Sequence, residues 1–94
     1  MEFEWNERKA EINYFVHKVT FEESKTVFAD PLCCFFYDEK HSIGEIREIA
    51  IGISDKGRLL LVTFTDRNNI IRLISSRLLT KKEKKDYEKG NFTN

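Results

Sequence analysis

The chain has 94 residues and a formal net charge of zero, so it is long enough for one domain with a modest single core. Hydrophobic residues make up 40% of it and charged residues 34%, which excludes a disordered protein and fits a folded domain with a solvated surface. No run approaches the ~18–20 apolar residues of a membrane helix, and the acidic N-terminus is unlike a secretory signal, so we expect a cytoplasmic protein.

The N-terminal third predicts a short strand followed by two helices. Phe3–Trp5 alternates apolar and polar side chains, as strands do, and Asn6 is a good N-cap for the helix that follows. That helix has apolar residues at the spacing of one buried stripe: Ile12, Phe15, Val16 and Val19. Thr20–Glu23 has the pattern of a capping box for a second helix, which ends at Asp30-Pro31. The apolar side chains that the second helix buries are predicted to be Phe21, Val27 and Phe28.

The remainder of the chain predicts consecutive strands and a last helix. The apolar run Leu32–Tyr37 predicts a buried strand, in which the adjacent Cys33 and Cys34 are reduced core residues. After a polar loop, short turns join the next three strands: Ile46–Ile53, Arg58–Asp66 and Ile70–Arg77. A capping box at Thr80–Glu83 then opens a C-terminal helix that ends at Gly90.

These elements predict an α+β fold in the order β-α-α-β-β-β-β-α. Short connections between consecutive strands favour an antiparallel sheet of about four strands, with the short N-terminal strand in addition. Two N-terminal helices and one C-terminal helix pack on this sheet. The sequence contains no linker, repeat or low-complexity tract, so residues 1–94 are expected to form a single domain.

The last hairpin is predicted to group two arginines and a threonine. A two-residue turn at Asn68-Asn69 would pair Arg67 with Ile70, Thr65 with Arg72, and Thr63 with Ile74. Arg67, Thr65 and Arg72 would then share one face. The opposite, core face carries Val62, Phe64, Ile71 and Leu73. Paired guanidinium groups suit a phosphate. The spacing equally allows ordinary exposed charges, ion-paired with Asp66 or Glu45, since a one-residue slip would reverse the faces.

The two parts of the chain carry opposite charge. Residues 1–55 contain six Lys or Arg against twelve Asp or Glu, whereas residues 56–94 contain ten against four. This asymmetry indicates a basic surface made by the C-terminal part, which could hold phosphates or be covered by an acidic partner.

Other side chains are candidates for acid–base or phosphate chemistry, each with a simpler structural explanation. Arg77 comes five residues after Arg72, so it reaches the same face only through a bulge or twist. Tyr87 on the last helix is typical of a packing residue, and His17 of a residue that interacts with a helix dipole. The polar loop contributes three more candidates: His41, Glu45 and Arg47.

The sequence contains no recognisable metal-ligand cluster, glycine-rich phosphate loop, nucleophile elbow or pair of catalytic carboxylates. Any catalysis has to come from scattered Arg, His, Lys, Glu and Tyr side chains. RNA carries its own nucleophile, the 2′-hydroxyl, so a base, an acid and phosphate-stabilising cations are sufficient to cleave it without a cofactor.

Segments along nearly the whole chain resemble, in the same order, those of the BrnT toxin family. The N-terminal resemblance lies in Phe3–Trp5, Lys9, Asn13, His17–Glu23 and Phe28–Pro31. The central one lies in His41–Arg47 and Ile51-Gly52, and the C-terminal one in Thr65–Arg67, Ile71–Arg77, Glu83 and Tyr87. The chain departs from the family pattern at Asn6, where Asp is usual, and at Val16–Lys18, where the family tends to have Lys-His-Gly.

The resemblance implies a RelE-like fold and a ribonuclease activity that halts translation. It also implies neutralisation by a BrnA-type antitoxin, a ribbon-helix-helix protein that dimerises, binds operator DNA and forms a heterotetramer with the toxin. DNA is thus contacted only through the antitoxin. The catalytic candidates on this view are Arg67, Arg72, Arg77, Tyr87, His17 and Glu45. The RNA-binding candidates are Lys9, His41, Arg47 and Thr65.

In the corresponding mechanism, Arg67 and Arg72 hold the scissile phosphate with support from Arg77. The base is left open among His17, His41 and Glu45, and assistance to the leaving oxygen comes from Tyr87 or Lys9.

Two other functions compete with this hypothesis. A non-catalytic RNA- or protein-binding module would bind with a steep salt dependence and cleave nothing. A DNA-binding repressor is disfavoured, because the chain has no helix-turn-helix pattern.

Overall fold

The computed structural model describes residues 1–93, and its five strands form one mixed sheet in the order β1-β5-β4-β3-β2. The strands are β1 (Glu2–Glu4), β2 (Cys34–Tyr37), β3 (Glu48–Ile53), β4 (Leu59–Arg67) and β5 (Ile70–Leu78). The helices are α1 (Glu7–His17), α2 (Phe21–Thr26) and α3 (Lys81–Glu88), with short 3₁₀ turns at Val27–Ala29 and Glu39–His41. The predicted α+β class and element order are confirmed. The sheet is not wholly antiparallel, because β1 pairs with β5 in parallel.

The β4–β5 hairpin has the predicted turn and, at its tip, the predicted register. Asn68 and Asn69 both have positive φ, 53° and 68°, which the two-residue turn requires. Arg67 lies opposite Ile70 and Thr65 opposite Arg72. The predicted pairing of Thr63 with Ile74 is wrong: Thr63 lies opposite Ser75, because a bulge at Ile74 inserts one extra residue into β5.

One face of the sheet packs against α1, α2 and the 3₁₀ turn after α2. Its largest fully buried side chains include Phe21 and Val27 from the helical layer, and Leu60 and Leu73 from the strands. The four residues predicted to line the core face of the last hairpin are all buried: Val62, Phe64, Ile71 and Leu73. Within residues 1–93, no helix combines the length and apolar character needed to cross a membrane.

Helix α1 does not bury the apolar stripe that its spacing predicts. The side chains of Ile12, Phe15 and Val16 are 52%, 77% and 60% exposed, and only Val19, beyond the helix, is buried. The buried residue of the helix is Asn13, whose amide side chain donates to the carbonyls of Val19 and Ser76, at 3.0 and 2.9 Å, and accepts from the Ser76 N–H at 2.9 Å. A polar clamp on the edge of β5, beside the partly buried Ala10, therefore holds α1 on the sheet.

Replacing Asn13 by alanine is expected to destabilise the protein by about 1–3 kcal/mol, because buried backbone groups at Val19 and Ser76 lose their partners. Asn13→Asp should be harmful in a pH-dependent way. Its carboxylate would face two carbonyl oxygens, so its pKa rises on folding and stability falls as the pH rises through that pKa. Ile12→Ala, at an exposed position, is the control and should cost less than about 0.5 kcal/mol. Urea unfolding measures all three, and a larger loss for Ile12→Ala than for Asn13→Ala would contradict the clamp.

The strand β2 is an edge strand rather than the buried strand that its apolar run predicts. Leu32, Phe35 and Tyr37 are largely exposed, because β2 has a neighbour only in β3. Both cysteines are free, as predicted, but Cys34 is exposed and is not a core residue. Burial raises the pKa of the half-buried Cys33 thiol to about 11, which leaves that thiol protonated and unreactive at neutral pH.

An ion pair between the buried Glu23 and the partly exposed Arg58 fastens α2 to the β3–β4 turn. The Thr20 hydroxyl accepts from the Glu23 N–H, as in a capping box, but the Glu23 side chain does not return the bond. Its carboxylate, only 1% exposed, instead accepts from Ser54 Oγ at 2.7 Å, from Arg58 Nε at 2.9 Å and from a second Arg58 nitrogen. The predicted capping box is thus only half formed, because the Glu23 carboxylate binds Arg58 instead of the backbone N–H of Thr20.

Candidate active site

The face of the sheet opposite the main core has an apolar end and a charged end. At the apolar end, Ile49, Ile51 and Leu61 are buried and pack against Tyr87 of α3 and Phe92. At the charged end lie Arg67 and Arg72 of the last hairpin. Between the two ends a cavity of ≈ 350 Å³ opens beside the loop from Asp38 to Arg47. The polar and charged side chains that line it are Asp38, Lys40, His41, Arg47, Thr63, Ser75, Arg77, Glu83 and Thr93.

The loop that borders the cavity is closed at its base by hydrogen bonds. The Asp38 N–H donates to the Arg47 carbonyl at 2.9 Å. Ser42 lies between them: its hydroxyl donates to the Asp38 carbonyl at 2.6 Å and accepts from the Arg47 N–H at 2.9 Å. Because the two ends of the loop are held together, the short 3₁₀ turn inside it presents His41 to the cavity in a defined position.

His41 and Asp38 form a hydrogen-bonded histidine–carboxylate pair in the cavity. The carboxylate of Asp38 is 6% exposed and lies 2.9 and 3.1 Å, through its two oxygens, from His41 Nδ1. The imidazole is 63% exposed, and its Nε2 makes no hydrogen bond with any residue of 1–93. A carboxylate on Nδ1 orients the ring and favours the tautomer whose Nε2 can accept a proton. Histidine in this arrangement can serve as a general base or acid.

Three cations surround this pair. Arg47, Lys40 and Arg77 all line the cavity. The Arg77 guanidinium holds the carboxylate of Glu83 by two bonds, of 2.7 and 2.9 Å, whereas Arg47 and Lys40 make no ion pair with another residue in the described part of the chain. Two cations are thus available to an anion without first breaking an internal ion pair. In residues 1–93, no three His, Cys, Asp or Glu side chains are grouped as metal ligands.

The bulge at Ile74 explains why Arg77 lies in this cavity. Five residues separate Arg72 from Arg77, so a regular strand would point them to opposite faces. The extra residue shifts the alternation of β5 by one, so that both arginines point to the same face. Arg72 lies opposite Thr65 and Arg77 opposite Leu61, two residues of β4 that share a face. From its spacing, Arg77 could reach the face of Arg72 only through a bulge or twist, and the bulge at Ile74 provides it.

The ion pair of Arg77 with Glu83 predicts an acid-sensitive contribution to stability. Hydrogen bonding to Arg77 lowers the pKa of Glu83 to about 2. A carboxyl whose pKa falls on folding stabilises the protein fully above its unfolded pKa, about 4.3, and loses that effect as the pH drops towards 2. Between pH 5 and pH 2.5, Glu83→Gln should therefore lose less unfolding free energy than the wild type in urea titrations. Equal losses would show that this ion pair does not contribute.

Arg67 and Arg72 lie near the cavity without lining it. Arg67 binds Glu45 by two bonds, of 2.6 and 3.0 Å, and Arg72 binds Glu4 at 2.8 Å. The alternative raised from the sequence, an ion pair between Arg67 and Glu45, is therefore present. Arg67 also lowers the pKa of Glu45, so this carboxylate is a poor general base. Thr65 is fully buried, and its hydroxyl has no hydrogen-bond partner within residues 1–93.

The structure places the remaining candidates outside the cavity. His17 and Lys9 line a separate groove beside α1. Tyr87 packs against the apolar end of the sheet, and its hydroxyl donates to Cys34 Sγ at 3.6 Å. Burial raises the pKa of Tyr87 to about 12, which makes its proton hard to release. The packing role suggested for Tyr87 by its helix position agrees with these contacts.

Asp38 and Lys40 are charged residues of the cavity that were not predicted from the sequence. Both lie in the polar loop, one on each side of the short 3₁₀ turn's first residue. Asp38 precedes His41 by three residues, the spacing at which side chains meet on a helical turn, and this signal could have identified it. Nothing in the spacing indicated that Lys40 faces the site.

Fold and cavity together define a class: a small α+β protein whose open sheet face offers cations and a histidine–carboxylate pair to an anionic substrate. Residues 5–83 match the family of the ribonuclease toxin BrnT of type II toxin–antitoxin systems, so the chain belongs to this family of ribonuclease toxins. The predicted family is confirmed. The 1.1 Å crystal structure of the Brucella abortus ribonuclease toxin BrnT has a similar fold, with a TM-score of 0.67. The two chains are 21% identical over 86% of this chain and 99% of that one. No curated protein sequence matches the chain.

Proposed function

We propose that the cavity beside His41 cleaves RNA without a metal ion, in the cytoplasm, and so stops translation. The observation that carries this proposal is the oriented pair of Asp38 and His41, with its free Nε2 facing a cavity that also presents Arg47, Lys40 and Arg77. These are the groups that phosphodiester cleavage by the neighbouring 2′-hydroxyl needs: a base, an acid and fixed positive charge.

The reaction begins when His41 Nε2 takes the proton of the 2′-hydroxyl. The 2′-oxygen then forms a bond to the adjacent phosphorus while the bond from phosphorus to the 5′-oxygen breaks. Arg47 and Arg77 stabilise the charge on the non-bridging oxygens, and Lys40 donates a proton to the leaving 5′-oxygen. The products are a 2′,3′-cyclic phosphate and a 5′-hydroxyl. Asp38 is a positioning residue, because it acts through the imidazole.

Arg67 and Arg72 extend the cationic surface beyond the reacting phosphate. Each is held by one glutamate and stands on the same face as the cavity, so they are suited to the flanking RNA backbone. On this assignment, binding of RNA weakens as salt rises. The loss of these two cations should raise KM more than it lowers kcat.

A direct test compares two double variants with the wild type on single-stranded RNA in EDTA. Lys40→Ala/Arg47→Ala removes the free cations of the cavity and should lower kcat by about 10²-fold or more. Arg67→Ala/Arg72→Ala should act mainly on KM. Loss of kcat only in the second variant would move the phosphate site to the hairpin tip. A wild type that binds RNA and cuts nothing, free or on ribosomes, would favour the non-catalytic binding module.

The partner is proposed to be a ribbon-helix-helix antitoxin, which dimerises, binds operator DNA and forms a heterotetramer with two toxin chains. Membership in a toxin family of type II toxin–antitoxin systems supports a protein antitoxin. Light scattering of the co-purified complex, with and without operator DNA, tests this composition. A 1:1 complex that does not bind DNA would contradict it.

A further inference from the structure

The face of α1 that the fold leaves uncovered is unusual for a surface helix. Ile12, Phe15 and Val16 are each more than half exposed, and they are neighbours on the helix at spacings of three and four residues. Adjacent exposed apolar side chains of this size are typical of a surface that another molecule covers.

A groove of ≈ 210 Å³ runs between α1 and β5, along the flank of this face that carries Ile12 and Val16. Phe15 lines the cavity on the other flank of the helix. Ile12, Val16 and Ile74 give the groove an apolar floor, and Lys9 and His17 stand at its rim. No carboxylate lines the groove among the described residues. The acidic residues of α1 that line a cavity, Glu7 and Glu11, line a different one, on the opposite flank of the helix.

The groove adjoins the candidate active site. Ile74 and Ser75 line both the groove and the cavity beside His41, because the bulge of β5 lies between the two. On the outer edge of β5, β1 pairs only with residues 70–72, and Asn13 of α1 bonds the backbone of Ser76 beyond them. A segment seated in the groove would therefore border the active-site cavity.

We infer that this groove is the docking site of the antitoxin, and that it takes an amphipathic segment with apolar side chains flanked by acidic ones. The apolar floor selects the first property and the basic rim without carboxylates selects the second. Docking here blocks entry of RNA at the shared wall of the cavity. The inference rests on the proposed function, since it assigns the partner of the same toxin. It also gives Lys9 and His17 a place in partner binding rather than in catalysis.

The test measures the dissociation constant of the purified antitoxin from the full chain by calorimetry. Ile12→Asp/Val16→Asp should raise Kd by at least about 100-fold, because buried apolar anchors carry most of the binding energy of an interface. Tyr14→Asp is the matched control, since Tyr14 is equally exposed, at 52%, on the opposite flank of the same helix. It should change Kd less than about threefold. Lys9→Glu should raise Kd by about tenfold and reduce its salt dependence.

Several results would overturn the inference. One is an unchanged Kd for Ile12→Asp/Val16→Asp, and another is an equal loss for Tyr14→Asp. A toxin that dimerises alone and becomes monomeric in Ile12→Asp/Val16→Asp would assign the groove to a second copy of the chain. Weaker RNA binding by Lys9→Glu with unchanged antitoxin binding would assign it to RNA. The titration needs no catalysis, so the two proposals can fail separately. If the wild type cuts no RNA but only the groove variants weaken antitoxin binding, the proposed function alone is refuted.

Discussion

His41→Ala is expected to lower the rate of RNA cleavage by about 10²- to 10⁴-fold, the usual contribution of a general acid–base group. The ring is 63% exposed and hydrogen-bonds only to Asp38 among the described residues, so its removal should leave the fold intact. The measurement is kcat on a short RNA in EDTA, with thermal unfolding as the check on stability. The loss should fall on kcat rather than on KM, because the base acts only in the transition state.

His17→Ala is the matched control, since His17 is the other histidine of the chain and lies outside the cavity. It should keep kcat within a factor of about three. Asp38→Asn should lower kcat less than His41→Ala and change the pH profile, because the amide no longer holds the imidazole as a carboxylate does. A large loss in His17→Ala with normal kcat in His41→Ala would move the base to the groove beside α1 and refute the mechanism.

Glu23→Ala is expected to destabilise the protein by about 2–3 kcal/mol, because the almost fully buried carboxylate is lost while Arg58, 32% exposed, can still be hydrated. The change leaves Arg58 without its carboxylate and removes the acceptor of Ser54. For a domain of this size the loss should lower Tm by more than about 10 °C. Arg58 also lowers the pKa of Glu23, so the contribution is complete above the unfolded pKa and is lost as the pH falls through the folded one.

Its control is the adjacent Glu22→Ala. The Glu22 carboxylate is 69% exposed and pairs with Lys25 at 3.1 Å on the helix surface, so its loss should cost less than about 0.5 kcal/mol. Urea unfolding at pH 7 compares the two variants. Similar costs would mean that the contact with Arg58 contributes no more than an exposed ion pair does.

Local chemistry was enough to predict much of the fold. The asparagines at 68 and 69 select the hairpin turn and thereby set the register that brings Thr65 opposite Arg72. Alternation along β4 then separates the core face from the charged face. The capping residues Thr20 and Thr80 fix where α2 and α3 begin. The end predicted for the second helix at Asp30-Pro31 is instead the end of the 3₁₀ turn, since α2 itself ends at Thr26.

Tertiary contacts account for what could not be predicted. The apolar spacing of α1 implied burial of Ile12 and Val16, but the helix is held through Asn13, a residue whose partners on β5 are 63 positions away. Likewise, the bulge at Ile74 leaves no mark in the periodicity of β5, so the place of Arg77 stayed open. In both cases the partner that decides the geometry lies on a different element: β5 for Asn13, and β4 for the bulge. A local window of sequence does not contain it.

The candidate site was predicted in its residue types and only in part in its geometry. Arginines of the last hairpin were identified correctly as sharing a face, yet two of them are held by glutamates beside the cavity and not inside it. His41 was one of three open choices for the base. Its pairing with Asp38 depends on a loop closed by Ser42, which no spacing rule describes.

The most direct test of the central claim is the chemistry of the RNA ends after incubation with the purified chain in EDTA. Attack by the 2′-hydroxyl predicts a 2′,3′-cyclic phosphate, or the 3′-phosphate from its hydrolysis, and a 5′-hydroxyl on the other fragment. These ends should form at least about 10²-fold more slowly with His41→Ala, and should be absent for RNA with 2′-O-methyl groups at the cut site. A 3′-hydroxyl with a 5′-phosphate, or cleavage that EDTA abolishes, would contradict the account.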